Sequence, residues 1–157
     1  MEKIASFTVN HLNLKPGLYV SRRDHKNGVY VTTFDMRITA PNIEPVMDIP
    51  AIHTIEHLGA TFLRNSREKE NIVYFGPMGC RTGFYLLVRD SISPAEVREA
   101  LIRALERTVA HEGDIFGASR KECGNYRELS LDAAKKECSY YLGVLKNKPQ
   151  KTFEYGE

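Results

Sequence analysis

Two histidines four residues apart, in His53-Thr54-Ile55-Glu56-His57, constrain the fold of this chain more than any other feature. Residues at positions i and i+4 of an α-helix lie one turn apart on the same face, so both imidazoles can bind one divalent metal ion if this segment is helical. Asp48 and Pro50 are typical of an N-cap and a first-turn proline, and no further proline follows from Ala51 to about Glu70. We therefore predict a helix over these residues, with the charged end from Arg64 to Glu70 emerging into solvent.

The rest of the chain predicts strands and two further helices. Residues 28–40 are β-branched and aromatic and predict a strand, and residues 72–75 and 84–88 predict two short buried strands. Ser93 and Glu96 form a capping box before an apolar four-residue repeat, and residues 130–146 are amphipathic. The order β, α, ββ, α, α predicts an α+β fold. We expect one domain over residues 1–157, with a largely antiparallel sheet packed against helices and the H-x-x-E-H motif on the central helix.

Composition excludes several classes of protein. The formal charge is +2, from 22 basic and 20 acidic residues, and no run of Lys or Arg offers a nucleic-acid interface. No segment approaches the roughly 20 apolar residues of a membrane span, and the first residues lack the apolar core of a secretory signal. The three cysteines are odd in number and widely spaced, which favours free thiols over a disulfide framework. We expect a cytoplasmic protein without nucleic-acid or membrane partners.

A metal site with two histidines needs a third ligand, and Cys123 is the best candidate. It precedes Gly124 in a predicted loop, where a thiolate can approach without steric cost. Cys138 lies within the last predicted helix and is interpreted as a small buried hydrophobic residue. A His₂Cys set leaves a fourth position open, as catalytic sites require. The alternative is that His53 and His57 are ordinary histidines on a helix surface.

Two further residues are candidates for proton transfer. Glu56 lies beside the histidines, where a carboxylate can move protons at a group bound to the metal. Cys80 lies in a glycine-bounded loop between two predicted strands, and the adjacent Arg81 favours its thiolate. Cys80 is therefore either an acid–base thiol or a structural loop cysteine.

Three separated motifs resemble the S-ribosylhomocysteine lyase family in their order and spacing. They are His53-Thr54-Ile55-Glu56-His57, Pro77-Met78-Gly79-Cys80-x-Thr82-Gly83 and Cys123-Gly124-Asn125-Tyr126. The resemblance runs nearly end to end, because Ser6-Phe7, His11, Phe34-Asp35-Met36-Arg37 and Pro41-Asn42 are also similar to segments of that family that contact substrate. Arg81 departs from the pattern, since the family more often has a neutral polar residue there.

The resemblance implies a role for each matching residue. His53, His57 and Cys123 would hold the metal, Glu56 and Cys80 would move protons, and Ser6, His11 and Arg37 would contact the substrate. The cofactor implied is one Fe²⁺ per subunit, for which zinc or cobalt can substitute, because ligand type alone does not choose the metal. The partners implied are S-ribosylhomocysteine and a second copy of the chain, in a homodimer with the site at the interface.

The reaction that the resemblance implies yields homocysteine and 4,5-dihydroxy-2,3-pentanedione, the precursor of autoinducer-2. It belongs to the activated methyl cycle and to quorum sensing. Elimination of the thiol from C5 requires an acidic proton at C4 and hence a carbonyl at C3, whereas the sugar carbonyl starts at C1. The carbonyl must therefore migrate twice before the β-elimination, and each migration needs acid–base groups close to the sugar carbons. Our hypothesis assigns the early transfers to Cys80 and the later ones to Glu56.

Two alternatives remain open from the sequence. In an H-x-x-E-H zinc peptidase, Glu56 would activate water for attack on a peptide bond, and a carboxylate is the usual third ligand. In a non-catalytic metal-binding module, a fourth protein ligand would close the site, and Cys80 is the candidate.

Overall fold

Four strands form one antiparallel sheet in the computed structural model, which describes residues 1–89, 91–147 and 152–156. The strands are β1 (Gly17–Lys26), β2 (Val29–Arg37), β3 (Ile72–Pro77) and β4 (Gly83–Arg89), and their order in the sheet is β1-β2-β4-β3. The three helices are α1 (Ile49–Arg64), α2 (Pro94–Ala110) and α3 (Leu131–Asn147). The predicted α+β fold with a largely antiparallel sheet is confirmed.

Strand β1 was missing from the sequence-based prediction, which began with a single strand at residues 28–40. The second half of β1 is polar and exposed, so it lacks the alternation that marks a half-buried strand. The signal that identifies it is the turn Asn27-Gly28, where both residues have positive φ, 52° and 78°. A two-residue Asn-Gly turn of this kind joins antiparallel strands, and Lys26 pairs with Val29 across it.

Helix α1 begins as predicted but ends six residues earlier than the predicted limit near Glu70. Its N-cap is Asp48, whose side chain accepts a hydrogen bond from the N–H of Ala51, and its C-cap is Asn65. The prediction was wrong beyond Arg64, because Glu68 is buried and accepts a hydrogen bond from Arg103 of α2 at 2.6 Å. The segment after Arg64 therefore does not emerge wholly into solvent, as the prediction had it.

The two faces of the sheet differ in what they contact. Phe34 and Met36 of β2 join the helices in one hydrophobic core, and Asp35 and Arg37 alternate with them on the opposite side, which we call the outer face. The core also contains the apolar residues of α1, α2 and α3, among them Ile52, Ile55, Leu58, Leu63, Val97, Leu101, Leu105, Cys138 and Tyr141.

The remaining helices match their predictions closely. The capping box of Ser93 and Glu96 is present at the start of α2, and α3 lies within one residue of the predicted range. Cys138 is fully buried in α3, as predicted. Among the described residues, no helix combines the length and the apolar character that crossing a membrane requires.

Candidate active site

His53, His57 and Cys123 are brought together although Cys123 is 70 residues from His53 in sequence. The two Nε2 atoms lie 3.1 Å apart, and the Cys123 Sγ lies 3.4 Å from the Nε2 of His53. One ligand atom from each of the three residues lies within 4.8 Å of the others. The three side chains are partly buried, so solvent reaches one side of the group.

Each histidine is oriented by a backbone carbonyl. The Nδ1 of His53 lies 3.0 Å from the carbonyl oxygen of Glu128, and the Nδ1 of His57 lies 2.7 Å from that of Phe116. A carbonyl only accepts hydrogen bonds, so each Nδ1 donates, and in the neutral imidazoles each Nε2 presents its lone pair. This is the arrangement that metal-binding histidines use.

Two of the three distances among the ligand atoms fit a metal ion closely. Two lone pairs that face each other at 3.1 Å repel unless a cation lies between them. Tetrahedral coordination with metal–nitrogen bonds near 2.0–2.1 Å and a metal–sulfur bond near 2.3 Å places N···N at about 3.3 Å and N···S at about 3.6 Å. The observed distances of 3.1 and 3.4 Å lie close to these values.

The loop between α2 and α3 holds Cys123 against α1. The N–H of Cys123 donates to the carbonyl of Ser119 at 2.9 Å, and the N–H of Asn125 donates to the Cys123 Sγ at 3.4 Å. At the end of the loop, the N–H of Ser130 donates to the Oγ1 of Thr54 in α1 at 2.8 Å. The loop is therefore attached to the same helix that presents the two histidines.

Cys80 lies in the turn between β3 and β4, and its side chain is exposed. Its Sγ lies 3.1 Å from the Oγ1 of Thr82 and 3.9 Å from the Nη1 of Arg37. Partial burial raises the pKa of Cys80, but the hydrogen bonds from Thr82 and the positive charge of Arg37 outweigh it, so the pKa lies below its ordinary value. The sequence pointed to Arg81 as the source of this effect. In the structure the contacts come from Thr82 and Arg37, and the side chain of Arg81 is exposed.

Arg37 is held by a buried ion pair on the outer face. Its Nη2 donates to the Oδ2 of Asp35 at 2.6 Å, and its Nη1 donates to the Oγ1 of Thr82 at 2.5 Å. The side chains of Arg37 and Asp35 are only 3% and 1% exposed. Thr82 therefore accepts from Arg37 and can donate its own hydrogen to Cys80, which links the guanidinium to the thiol.

The other predicted substrate contacts also lie outside the group of metal-binding residues. Ser6 is in a short 3₁₀-helix (Ala5–Phe7) and lines a groove of about 390 Å³ with outer-face residues, among them Thr33 and Tyr85. The Nδ1 of His11 lies 2.9 Å from the carbonyl oxygen of Val9.

Glu56, the second residue predicted to transfer protons, is on α1 beside His57 and is partly buried. The roles of these residues stay predictions.

The predicted site thus falls into two parts within one chain. The metal trio lies where α1 meets the loop before α3. By contrast, Arg37 is on the outer face of the sheet, Cys80 is in the adjoining turn between β3 and β4, and Ser6 lines a groove on that face. Among the described residues, Cys80 does not join the group of possible metal ligands. The described residues of one chain therefore form no closed four-ligand site, which leaves the module with Cys80 as fourth ligand without support.

Comparison with known proteins gives a consistent result over the whole chain. A family model described as S-ribosylhomocysteinase (LuxS) matches residues 4–152. A protein of Finegoldia magna named S-ribosylhomocysteine lyase is 49% identical over 157 residues, which cover 100% of both chains. Proteins of the same name from Borreliella afzelii and Clostridium acetobutylicum are 51% and 48% identical, with 99% and 100% of each chain covered.

Proposed function

We propose, because this chain belongs to the S-ribosylhomocysteinase (LuxS) family, that it is a metal-dependent S-ribosylhomocysteine lyase. It would cleave the carbon–sulfur bond of S-ribosylhomocysteine and release homocysteine and 4,5-dihydroxy-2,3-pentanedione, the precursor of autoinducer-2. The observation that carries this proposal is the His₂Cys group, in which three protein ligands converge and no fourth ligand from the described residues joins them. Its three residues lie in the segments that resemble the family's motifs.

The metal would be held by His53, His57 and Cys123. When bound, the ion supplies a Lewis acid that stabilises the negative charge developing on the sugar oxygens. We propose Fe²⁺ as the native ion, although these ligand types also accept zinc or cobalt. The two backbone carbonyls at Glu128 and Phe116 would keep the imidazoles in the binding orientation whichever ion is present.

Proton transfer falls to Cys80 and Glu56. The lowered pKa of Cys80 increases its thiolate fraction near neutral pH, and a thiolate can take a proton from a sugar carbon and return it to the neighbouring carbon. This shuttling moves the carbonyl from C1 toward C3. We assign the early transfers to Cys80 and the later ones, including removal of the C4 proton before homocysteine leaves, to Glu56.

We propose a homodimer in which one copy supplies the metal trio and the other supplies the outer-face residues around Cys80. The division of the site supports this, because both parts must reach the same five-carbon sugar. The segment before β1 and the outer face also expose large apolar side chains, which suggests a partner surface. These include Ile4 at 58%, Phe7 at 72%, Leu12 at 77% and Tyr74 at 48% exposure.

All three cysteines are free thiols, which fits a reducing compartment, and we propose the cytoplasm.

Release of homocysteine tests the proposed reaction. The protein is loaded anaerobically with Fe²⁺ and given S-ribosylhomocysteine, free thiol is measured with a disulfide dye, and the dione is identified by mass spectrometry. We expect both products from the native chain. Cys80→Ala and Glu56→Gln should keep their metal and lose most of the turnover, whereas the exposed Glu112→Gln should behave like the native chain. No thiol release from a folded, metal-loaded sample would contradict the lyase proposal.

A further inference from the structure

The segment 152–156 returns to the sheet and is attached to β1. The N–H of Val20 donates to the carbonyl of Phe153 at 2.7 Å, and the Phe153 side chain packs against the hydrophobic core. The ring of Tyr155 stacks on that of Tyr19, with 5.1 Å between centroids and an angle of 19° between the ring planes. These contacts fix the Tyr155 ring independently of its hydroxyl group.

The Tyr155 hydroxyl reaches the buried ion pair beneath Cys80. It donates to the Oδ2 of Asp35 at 2.8 Å, and the same oxygen accepts from the Nη2 of Arg37 at 2.6 Å. The other carboxylate oxygen of Asp35 is buried and has no hydrogen-bond partner among the described residues. The Asp35 carboxylate is therefore held through one oxygen by two donors, one from segment 152–156 and one from Arg37.

A continuous series of contacts joins Tyr155 to the thiol. Asp35 contacts Arg37, and the Nη1 of Arg37 donates to the Oγ1 of Thr82 at 2.5 Å. The same Oγ1 lies 3.1 Å from the Cys80 Sγ. The same Nη1 lies 3.9 Å from the Cys80 Sγ. A change at the Asp35 carboxylate therefore acts on Cys80 through Arg37, both directly and by way of Thr82.

We infer that Tyr155 is a positioning residue for Cys80, acting through the Asp35–Arg37 pair. The inference rests on the proposed function to the extent that Cys80 is the acid–base thiol of that reaction. Tyr155 itself touches neither the thiol nor the metal trio in the described contacts. Tyr155 lies outside the segments that resemble those of the lyase family.

The direction of the effect follows from competition for one guanidinium. The Asp35 carboxylate and the Cys80 thiolate both attract Arg37, and a hydrogen bond from Tyr155 disperses part of the negative charge of Asp35. More of the positive charge of Arg37 then acts on the thiolate. Without the hydroxyl, Arg37 is drawn toward Asp35 and away from Thr82, and the thiolate becomes less stable.

Tyr155 keeps the proton that this bond requires. Burial, and then the negative charge of Asp35, raise the pKa of Tyr155 well above its ordinary value, so the hydroxyl remains a donor throughout the working pH range. Among the described residues, the charged or titratable groups near the thiol include Arg37, Tyr85 and the exposed Arg81. The pKa of Tyr85 is also raised, chiefly by burial, so it stays neutral beside the thiol.

The rate of alkylation of Cys80 across a pH series tests the inference on the full chain, without substrate. Iodoacetamide reacts with the thiolate, and peptide-resolved mass spectrometry separates Cys80 from Cys123 and Cys138. Tyr155→Phe keeps the ring stack and removes only the hydroxyl. The matched control is Tyr140→Phe, which removes another tyrosine–carboxylate hydrogen bond, 2.9 Å to Glu44, outside the contacts that lead to Cys80.

We expect Tyr155→Phe to move the midpoint of Cys80 alkylation upward by about half a pH unit, which corresponds to roughly threefold slower alkylation below both midpoints. Tyr140→Phe should keep the native midpoint. An unchanged midpoint in Tyr155→Phe would overturn the inference, and so would a fall in melting temperature without a shift, since that is the result of a purely structural role.

This readout needs no lyase activity. A shift in a chain that releases no homocysteine would refute the proposed function alone, and release without a shift would refute this inference alone.

Discussion

The Nδ1 of His57 lies 2.7 Å from the carbonyl oxygen of Phe116, 59 residues further along the chain. The next residue, Gly117, has a φ of +71°, and a Cβ added there would lie 3.2 Å from the same Nδ1. The backbone at Phe116 and Gly117 therefore packs directly against the imidazole. The loop before α3 therefore orients His57 and also places Cys123 beside the two histidines.

Gly117→Ala should weaken metal binding. The added Cβ is too close to His57 and the backbone conformation disfavours a side chain, so the imidazole or its carbonyl partner must move. Changes to such supporting contacts typically lower metal affinity by about 10- to 100-fold. Competition with a chromogenic chelator measures the effect. Gly113→Ala is the control, because its φ of +86° gives similar strain while the space around its Cβ is open. Equal affinities of the two variants would contradict a positioning role for Gly117.

Asp35→Asn should destabilise the fold by about 3–5 kcal/mol, because it leaves the Arg37 guanidinium buried beside a neutral amide. Urea unfolding measures the change in the free energy of unfolding. Asp24→Asn is the control, since Asp24 pairs with Arg22 at 2.9 Å but both side chains are more than half exposed. Its effect should stay below about 1 kcal/mol. Similar losses in both variants would show that burial of the Asp35–Arg37 pair is not what matters.

Thr82→Val should raise the pKa of Cys80, because it removes the hydroxyl that links Arg37 to the thiol. The alkylation midpoint of Cys80 and the acid limb of the activity–pH profile should both move to higher pH. Thr82→Ser retains the hydroxyl and should keep both near their native positions. A profile that moves as far in Thr82→Ser as in Thr82→Val would contradict the role of the hydroxyl, because the serine variant retains it.

Cys138 should resist alkylation in the native state. Burial, and then the charge of Glu137, raise its pKa to about 12. Since the folded pKa lies above the unfolded one, this thiol contributes stability that is present below the unfolded pKa of about 8.5 and lost as pH rises toward the folded value. The free energy of unfolding should therefore fall more steeply with pH in this alkaline range for the native chain than for Cys138→Ala. Parallel slopes would show that Cys138 titrates alike in both states.

Local signals predicted most of the fold. The N-cap at Asp48 and the capping box at Ser93 mark helix starts through contacts within a few residues, and such contacts can be predicted from the sequence. The end of α1 was missed, and beyond it Glu68 contacts Arg103 of another helix, which the local sequence does not show. Strand β1 was missed because its polar half hides the alternation, although the Asn27-Gly28 turn was a usable signal.

The candidate site was predictable where the chemistry is carried by residue type. The spacing of His53 and His57 and the isolated Cys123 pointed to the three residues that the fold brings together. The parts played by Asp35, Thr82 and Tyr155 were not predicted, because they depend on which face of the sheet each residue occupies and on where segment 152–156 lies. A charged pair at Asp35 and Arg37 within a run of buried strand residues was the available hint.

The lyase assignment is tested most directly by measuring thiol release from S-ribosylhomocysteine together with bound iron in the native chain, Cys123→Ala and Cys138→Ala. Cys123 belongs to the metal trio and Cys138 only to the core, so the two variants remove the same atom from different places. We predict that Cys123→Ala loses both iron and thiol release, and that Cys138→Ala keeps both at the cost of some stability. Thiol release that survives in an iron-free Cys123→Ala sample would contradict the metal site, and no release from the iron-loaded native chain would contradict the activity.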